Sequence, residues 1–197
     1  MSRAVLLVLL LPALVLGLLR GPPGADAAAA PHGGPAGLAR GDYGWPLPGL
    51  DREAGTGPPR RGTVTRRFDA PPTPYGRGHR GVDLTATPTT PVIAAGAGVV
   101  DFAGPVAGRG VVSVRHGGGL RTTYEPVTPA VAARATVARG TPLGVLEAGH
   151  AGCPSAACLH WGLRRAVPGA PGGREQYLDP LLLLGLGRMR LLPWAVG

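Results

Sequence analysis

Short apolar segments separated by glycine and proline constrain the fold of this chain more than any other feature of its sequence. Residues 111–116 alternate apolar and polar side chains with a period of two, three glycines follow, and residues 120–124 continue the pattern, which indicates a β-hairpin. Similar segments occupy residues 92–95, 98–103, 142–146 and 159–164. No helical stripe of apolar residues competes with them. The pattern predicts an all-β domain.

The glycine and proline content extends beyond this region. The chain has 34 glycines and 23 prolines among 197 residues, a share at which disorder has to be considered. Residues 28–60 combine Ala, Gly and Pro with scattered charge and no periodicity, which indicates a tether. Within it we expect the apolar residues 43–48 to pack on the domain edge. The domain itself is predicted over residues 61–186, with a short helix capped by Asp179 near its end and a tail at 187–197.

The N-terminus resembles an export signal. Arg3 precedes an unbroken apolar run, and residues 25–27, Ala-Asp-Ala, form an A-x-A cleavage signal with cleavage expected after Ala27. The alternative is an uncleaved anchor, but the run is shorter than the roughly 20 residues that a bilayer span needs. We therefore expect residues 1–27 to be a cleaved signal peptide. The mature chain would then be secreted and extracytoplasmic, without a stable membrane span.

The net charge narrows the choice of partners. All 20 basic residues are arginine, and 11 acidic residues leave a formal charge of +9. Part of this excess reflects a bias of the whole composition toward Arg, Ala, Gly and Pro. A basic protein is still drawn to polyanions. The sequence contains no basic patch interleaved with aromatic residues of the kind that binds nucleic acid, and the export signal also argues against that partner. Anionic lipid and anionic wall polymers are the polyanions that remain.

The two cysteines, Cys153 and Cys158, are separated by four turn-compatible residues. Outside the cytosol such a pair is free to form a disulfide, which we predict here. Two free thiols, or a cysteine that binds a metal, are the alternatives.

Three other residues suggest metal chemistry. His79 and Asp83 are four apart, so in an extended segment they share a face, and His160 lies in the strand predicted at 159–164. Two imidazoles and one carboxylate are a common ligand set for catalytic zinc, which leaves a fourth position for water. The alternative is that His79 is a surface residue and His160 a strand residue with satisfied hydrogen bonds.

An ordered series of segments resembles the lysostaphin-type (LytM-like) zinc endopeptidases. Residues 78–84, GHRGVDL, are similar to their H-x-x-x-D motif, and residues 158–162, CLHWG, to their closing H-x-H strand. The segments 91–100, 114–117, 123–124, 140–144 and 177–180 match intervening strands and turns in the same order. The resemblance covers roughly residues 61–185.

This resemblance implies a fold and a chemistry. It implies antiparallel sheets that form a groove, the lysostaphin-like or duplicated hybrid motif. It also implies Zn²⁺ held by His79, Asp83 and His160. The implied activity is that of an exported metallopeptidase, associated with the cell wall, that hydrolyses peptide bonds of peptidoglycan. Arg77 and Arg80 flank the first ligand, where they would contact substrate carboxylates or wall phosphates; the alternative is a solvated loop.

Two positions depart from the family. Cys158 stands where the family has the first, non-ligand histidine of H-x-H, and Pro126 stands where a histidine usually follows the hairpin tyrosine. In one interpretation the enzyme is active, with His150, or less favourably Glu125, as the substitute base.

Two further interpretations are open. In the second, the zinc site persists without hydrolysis, and the domain binds cell wall or regulates another hydrolase. In the third, a Cys158 thiolate takes the fourth metal position and closes the site.

Overall fold

Strands dominate the described part of the computed structural model, which comprises residues 41–50, 63–73, 76–169 and 171–187. Within those ranges the chain forms eleven strands and no α-helix. They are β1 (Val64–Arg66), β2 (Gly81–Ala86), β3 (Pro91–Ile93), β4 (Gly98–Val106), β5 (Arg109–Arg115), β6 (Leu120–Glu125), β7 (Val127–Pro129), β8 (Thr136–Val137), β9 (Pro142–Leu146), β10 (Ala157–Ala166) and β11 (Glu175–Leu178). The all-β prediction is confirmed. The predicted signal peptide lies outside the described residues, as does most of the predicted tether and tail.

Every strand pairing is antiparallel, and the strands form two sheets. The larger sheet runs β1-β2-β10-β6-β5-β4-β8, with β11 added to the end of β10, and the smaller runs β3-β9-β7. The long strand β10 pairs with β2 on one side and with β6 on the other. Its register places His160 opposite Asp83 on β2 and opposite Glu125 on β6. Directly opposite residues in antiparallel strands lie close together, so the topology itself assembles the centre of the candidate site.

The core includes residues from the predicted tether. Trp45 and Leu47 are each only 2% exposed, and the Trp45 ring lies 6.3 Å from that of Trp161, which is fully buried as a core residue. Tyr43 approaches Gly96 so closely that a Cβ there would lie 2.5 Å from the tyrosine ring. The apolar island at 43–48 therefore completes the core, which is a more central position than the edge we expected.

A chain of buried hydrogen bonds holds one end of β6. The His116 Nδ1–H donates to the Ala97 carbonyl (2.8 Å), which leaves Nε2 to accept from the Thr122 hydroxyl (2.7 Å). The Tyr124 hydroxyl then donates to Thr122 Oγ1 (2.8 Å) and accepts from the Ala95 N–H (3.0 Å). Burial lowers the pKa of His116 and raises the pKa of Tyr124 to about 12. His116 is thus a structural residue.

The C-terminal boundary follows the predicted capping pattern. The Asp179 carboxylate accepts a hydrogen bond from the Leu181 N–H, and Pro180 opens the short helix Pro180–Leu184, which is a 3-10 helix. Gly185 ends it with φ of 70°. In the described part of the chain, no helix combines the length and apolarity that crossing a bilayer requires.

Candidate metal centre and groove

The three predicted ligands meet at one point of the main sheet. His79, in the loop before β2, places Nε2 3.0 Å from Asp83 Oδ1, and His160 on β10 places Nδ1 2.9 Å from the same oxygen. The two imidazole nitrogens are 3.1 Å apart. The His160 ring has room because residue 81 is glycine: a Cβ there would lie 2.7 Å from the His160 Nε2. His79 and Asp83 are buried, and His160 is partly open to the groove.

A backbone carbonyl fixes the orientation of His79. Its Nδ1 lies 2.8 Å from the Arg67 carbonyl oxygen. A carbonyl only accepts, so the neutral ring carries its proton on Nδ1 and turns the Nε2 lone pair toward Asp83. Metal-binding histidines usually have such a partner on the far nitrogen, because it sets the tautomer and the ring orientation.

Asp83 is held in its ionised form. Burial by itself would raise the pKa of this carboxyl, but the contacts with His160 and then with His79 outweigh burial and hold the pKa well below its ordinary value. The centre therefore presents one negative charge and two imidazole nitrogens to a common point.

The donor set fits a zinc ion. The donor atoms of His79, Asp83 and His160 all lie within 4.8 Å of one another. Tetrahedral zinc with bonds of about 2.0–2.1 Å to nitrogen places neighbouring ligand atoms about 3.3 Å apart. The observed separations of 2.9, 3.0 and 3.1 Å are close to this value. Two neutral imidazoles and one carboxylate also have the chemistry that zinc takes in hydrolases.

His150 lies beside this centre, as the substitute-base hypothesis requires. Its Nε2 is 3.5 Å from Asp83 Oδ1, and its ring stacks on that of His160 with centroids 6.0 Å apart and planes 16° from parallel. Its Nδ1 lies 2.9 Å from the Ala151 carbonyl, so the neutral ring turns the Nε2 lone pair into the groove. His150 does not belong to the group of mutually close donor atoms, and we therefore place it next to the metal position.

The two cysteines form a disulfide, as predicted, with Cα atoms 5.7 Å apart. Cys158 is fully buried. A disulfide sulfur is neither a thiolate ligand nor a base. The interpretation in which a Cys158 thiolate closes the metal site is therefore wrong.

The groove beside the centre is basic. Glu125, the weaker candidate base, lines it but lies 3.6 Å from the Arg109 guanidinium. Arg80 also lines the groove, whereas Arg77 is exposed and is not among the lining residues. The lining comprises Arg66, Gly78, His79, Arg80, Arg109, Thr123, Glu125, His150, Ala151, His160, Arg164 and Tyr177.

Four charged or aromatic lining residues were not predicted as site residues from the sequence: Arg66, Arg109, Arg164 and Tyr177. The Tyr177 ring contacts two guanidiniums, with the carbon of Arg80 5.4 Å and that of Arg164 4.8 Å from its centroid. The sequence carried one signal for them, because Arg164 is four residues after His160 in a strand and so shares its face. Arg66, Arg109 and Tyr177 reach the groove from strands whose neighbours only the topology reveals.

Comparison with known proteins identifies a family for the part of the chain that contains this site. A model of Peptidase family M23 matches residues 77–180, a range that includes all three candidate ligands and His150. The uncharacterized protein Rv2891 of Mycobacterium tuberculosis is 49% identical over 150 residues, which are 76% of this chain and 54% of that protein. Protein Mb2915 of Mycobacterium bovis matches to the same extent. The chain spans about half the length of these curated relatives.

Solved structures with similar folds share less sequence. Lysostaphin from Staphylococcus simulans matches with 22% identity and a TM-score of 0.47, over 62% of this chain and 50% of that chain. Csd3 from Helicobacter pylori matches with 23% identity and a TM-score of 0.48, over 66% of this chain and 33% of that chain.

Proposed function

Because the chain belongs to peptidase family M23, we propose that it is an exported zinc endopeptidase that hydrolyses peptide bonds of peptidoglycan. The observation that carries this proposal is the open donor set. His79, Asp83 and His160 present three donor atoms to one point beside a groove. The disulfide removes Cys158, the residue that would otherwise close the fourth position. An open position is what distinguishes catalytic zinc sites from structural ones.

The metal ion and the residues around it would have distinct roles in this reaction. When bound, Zn²⁺ would supply Lewis-acid chemistry, which polarises the peptide carbonyl and lowers the pKa of water. The Arg67 carbonyl keeps the His79 tautomer correct for binding the ion. Asp83 supplies the negative charge that the two imidazoles lack.

His150 takes the role that the family histidines at positions 126 and 158 would fill. Its Nε2 accepts a proton from the attacking water as the new C–O bond forms. The same nitrogen then returns the proton to the leaving nitrogen as the C–N bond breaks, which yields a carboxylic acid and an amine. General-base help of this kind accounts for about 10²- to 10⁴-fold in rate.

The basic groove suits an anionic substrate. Arg80 and Arg164 contact the Tyr177 ring, and Arg66 and Arg109 line the same groove. Guanidinium groups bind carboxylates and phosphates in bidentate geometry. Peptidoglycan peptides with free carboxylates, together with anionic wall polymers, are the ligands that this surface favours. Export to the wall is proposed on the basis of the N-terminal signal pattern.

One observation favours a second function. Neither Pro126 nor Cys158 can replace the histidine that the family carries at its position. A module that keeps zinc, binds cell wall and regulates another hydrolase would tolerate both changes, whereas an enzyme needs a substitute base.

Metal analysis and a peptidoglycan digest decide between the two functions. The oxidised mature chain is expected to bind one zinc ion and to release soluble peptides from purified peptidoglycan. His160→Ala is expected to lose both properties, and His150→Ala to keep zinc while losing most of the activity. If the wild-type chain holds zinc but releases no more peptide than His160→Ala, the enzyme proposal fails and the binding module remains. If no zinc binds, both functions fail.

A further inference from the structure

The Cys153–Cys158 disulfide ties the turn that carries His150 to the main sheet. The Cys153 N–H donates to the His150 carbonyl (3.2 Å), so these residues form one tight turn. The disulfide joins this turn to Cys158, the second residue of β10, two residues before His160 on the same strand. The imidazole that faces the metal position and the strand that supplies a ligand are thereby linked through one covalent bridge.

Few other interactions hold this turn. Among the described residues, no hydrogen bond joins residues 149–154 to the sheet. Just beyond the turn, the Thr85 hydroxyl donates to Ser155 Oγ (2.6 Å), which in turn donates to the Ala157 carbonyl (3.0 Å). Gly149 and Gly152 have φ of 87° and 79°, in the left-handed region that glycine visits at no steric cost. Two such glycines give the turn little stiffness of its own.

We propose that the disulfide is a positioning element for His150, and that a chain whose two cysteines are unpaired is a poor peptidase although it still binds zinc. This inference rests on the proposed function. The ligands do not depend on the turn, because His79 is held by Arg67, Asp83 lies within β2, and His160 lies within a strand paired on both sides. The His150 imidazole contacts Asp83 and stacks on His160, but the disulfide is the covalent link that holds its turn against the sheet. Misplacement of a reacting group by about 1 Å can reduce a rate about a hundredfold.

A double-mutant cycle tests whether the disulfide acts through His150. The four proteins are the wild type, His150→Ala, Cys153→Ala/Cys158→Ala, and the triple variant, each assayed for kcat/KM on peptidoglycan peptides. Loss of the disulfide is expected to reduce kcat/KM by about 10- to 100-fold when His150 is present. It is expected to change kcat/KM by less than about twofold when residue 150 is alanine, because coupled residues are non-additive. Equal losses in both backgrounds, or no loss in either, would overturn the inference.

A readout without activity separates this inference from the proposed function. In zinc-free protein, the stacked rings of His150 and His160 are expected to give a mutual ring-current shift and a cross-relaxation contact by NMR. Both signals should disappear in Cys153→Ala/Cys158→Ala. If they persist, the turn does not need the disulfide and the inference is wrong, whether or not the chain is a peptidase. If the wild type is inactive, and the NMR signals are present in the wild type but absent from the variant, the proposed function is refuted and the inference about the disulfide is not.

Zinc affinity and a stability control complete the test. Calorimetric titration of zinc is expected to give the same stoichiometry and an affinity within about threefold for the wild type and the double cysteine variant. A loss of zinc binding in the variant would mean that the disulfide positions His160 instead, and would overturn the inference.

Val137→Ala is a matched control for destabilisation, because Val137 is buried in β8 at the edge of the sheet opposite β1. It should weaken the fold and keep kcat/KM within about twofold. A loss of activity in this control as large as in the cysteine variant would attribute the effect to stability and overturn the inference.

Discussion

Two histidine clusters in this domain use similar residue types and differ in how their hydrogen bonds end. In the His116 cluster, every proton has an assigned acceptor, from the Ala95 N–H through Tyr124 and Thr122 to the imidazole and on to the Ala97 carbonyl. In the His79 cluster, two imidazole nitrogens and a carboxylate oxygen face one another within about 3 Å, and the neutral tautomer of His79 has no proton to place between them.

The difference separates a structural cluster from a functional one. A buried polar chain whose members are all satisfied stabilises a single conformation. Lone pairs that converge are costly unless a proton or a cation lies between them. The first cluster is complete as it stands, whereas we propose that a metal ion completes the second. A substitution in one cluster can therefore be compared with a substitution in the other.

Removal of a ligand should have the largest effect. In His160→Ala, one of the three donors is lost, so zinc binding is expected to fall below detection by metal analysis. The rate of peptide hydrolysis should fall by about a thousandfold or more, since several kcal/mol of transition-state stabilisation depend on the ion. Excess zinc should raise the melting temperature of the wild type but not that of the variant. Retained zinc in the variant would contradict the ligand assignment.

Removal of the other buried imidazole should affect stability instead. In His116→Ala, the Ala97 carbonyl and the Thr122 hydroxyl lose their partner, and a buried unsatisfied group costs about 1–3 kcal/mol. The free energy of unfolding in urea is expected to fall by that amount or somewhat more, because a cavity is also created. Zinc stoichiometry should stay at the wild-type value. A loss of zinc would show that the two clusters are not independent.

A smaller change tests the middle of the structural chain. Tyr124→Phe removes only the hydroxyl that accepts from the Ala95 N–H and donates to Thr122. We expect a loss of about 1 kcal/mol in unfolding free energy, within the range of one buried hydrogen bond. Combination with His116→Ala should cost less than the sum of the two single changes, since both belong to one network. Strict additivity would mean that the network does not act as a unit.

Features that depend on local sequence patterns could be predicted from the sequence, whereas features that depend on long-range strand pairing could not. The strand at 120–124 was predictable because one face is buried and the alternation is visible. The strand at 111–116 was predictable from the alternation in its sequence, although Val112, Ser113 and Val114 are all buried. Strand β2 was not, because its first four residues are all buried and show no alternation. His79, Asp83 and His160 were identified from ordered motifs. Arg66, Arg109 and Tyr177 were not, because their place in the groove depends on strand order and register, which a local pattern does not encode.

The smallest expected effect is a difference in the pH dependence of unfolding free energy between the wild type and a His116 variant. The buried His116 determines the sign of this difference. Burial lowers the pKa of His116 below its ordinary value of about 6.5. The unfolded chain therefore binds a proton at a higher pH than the folded chain does, and stability falls as the pH falls from about 6.5 toward the depressed folded pKa. Urea unfolding of zinc-free wild type and His116→Gln is measured at about pH 7.5 and about pH 5.5, on either side of the ordinary pKa. The comparison isolates this contribution because the two proteins differ only at residue 116. We expect the wild type to lose more stability than the variant between these two pH values. An equal loss would mean that His116 is not held neutral by burial, and the contrast between a complete and an incomplete histidine cluster would then lose its physical basis.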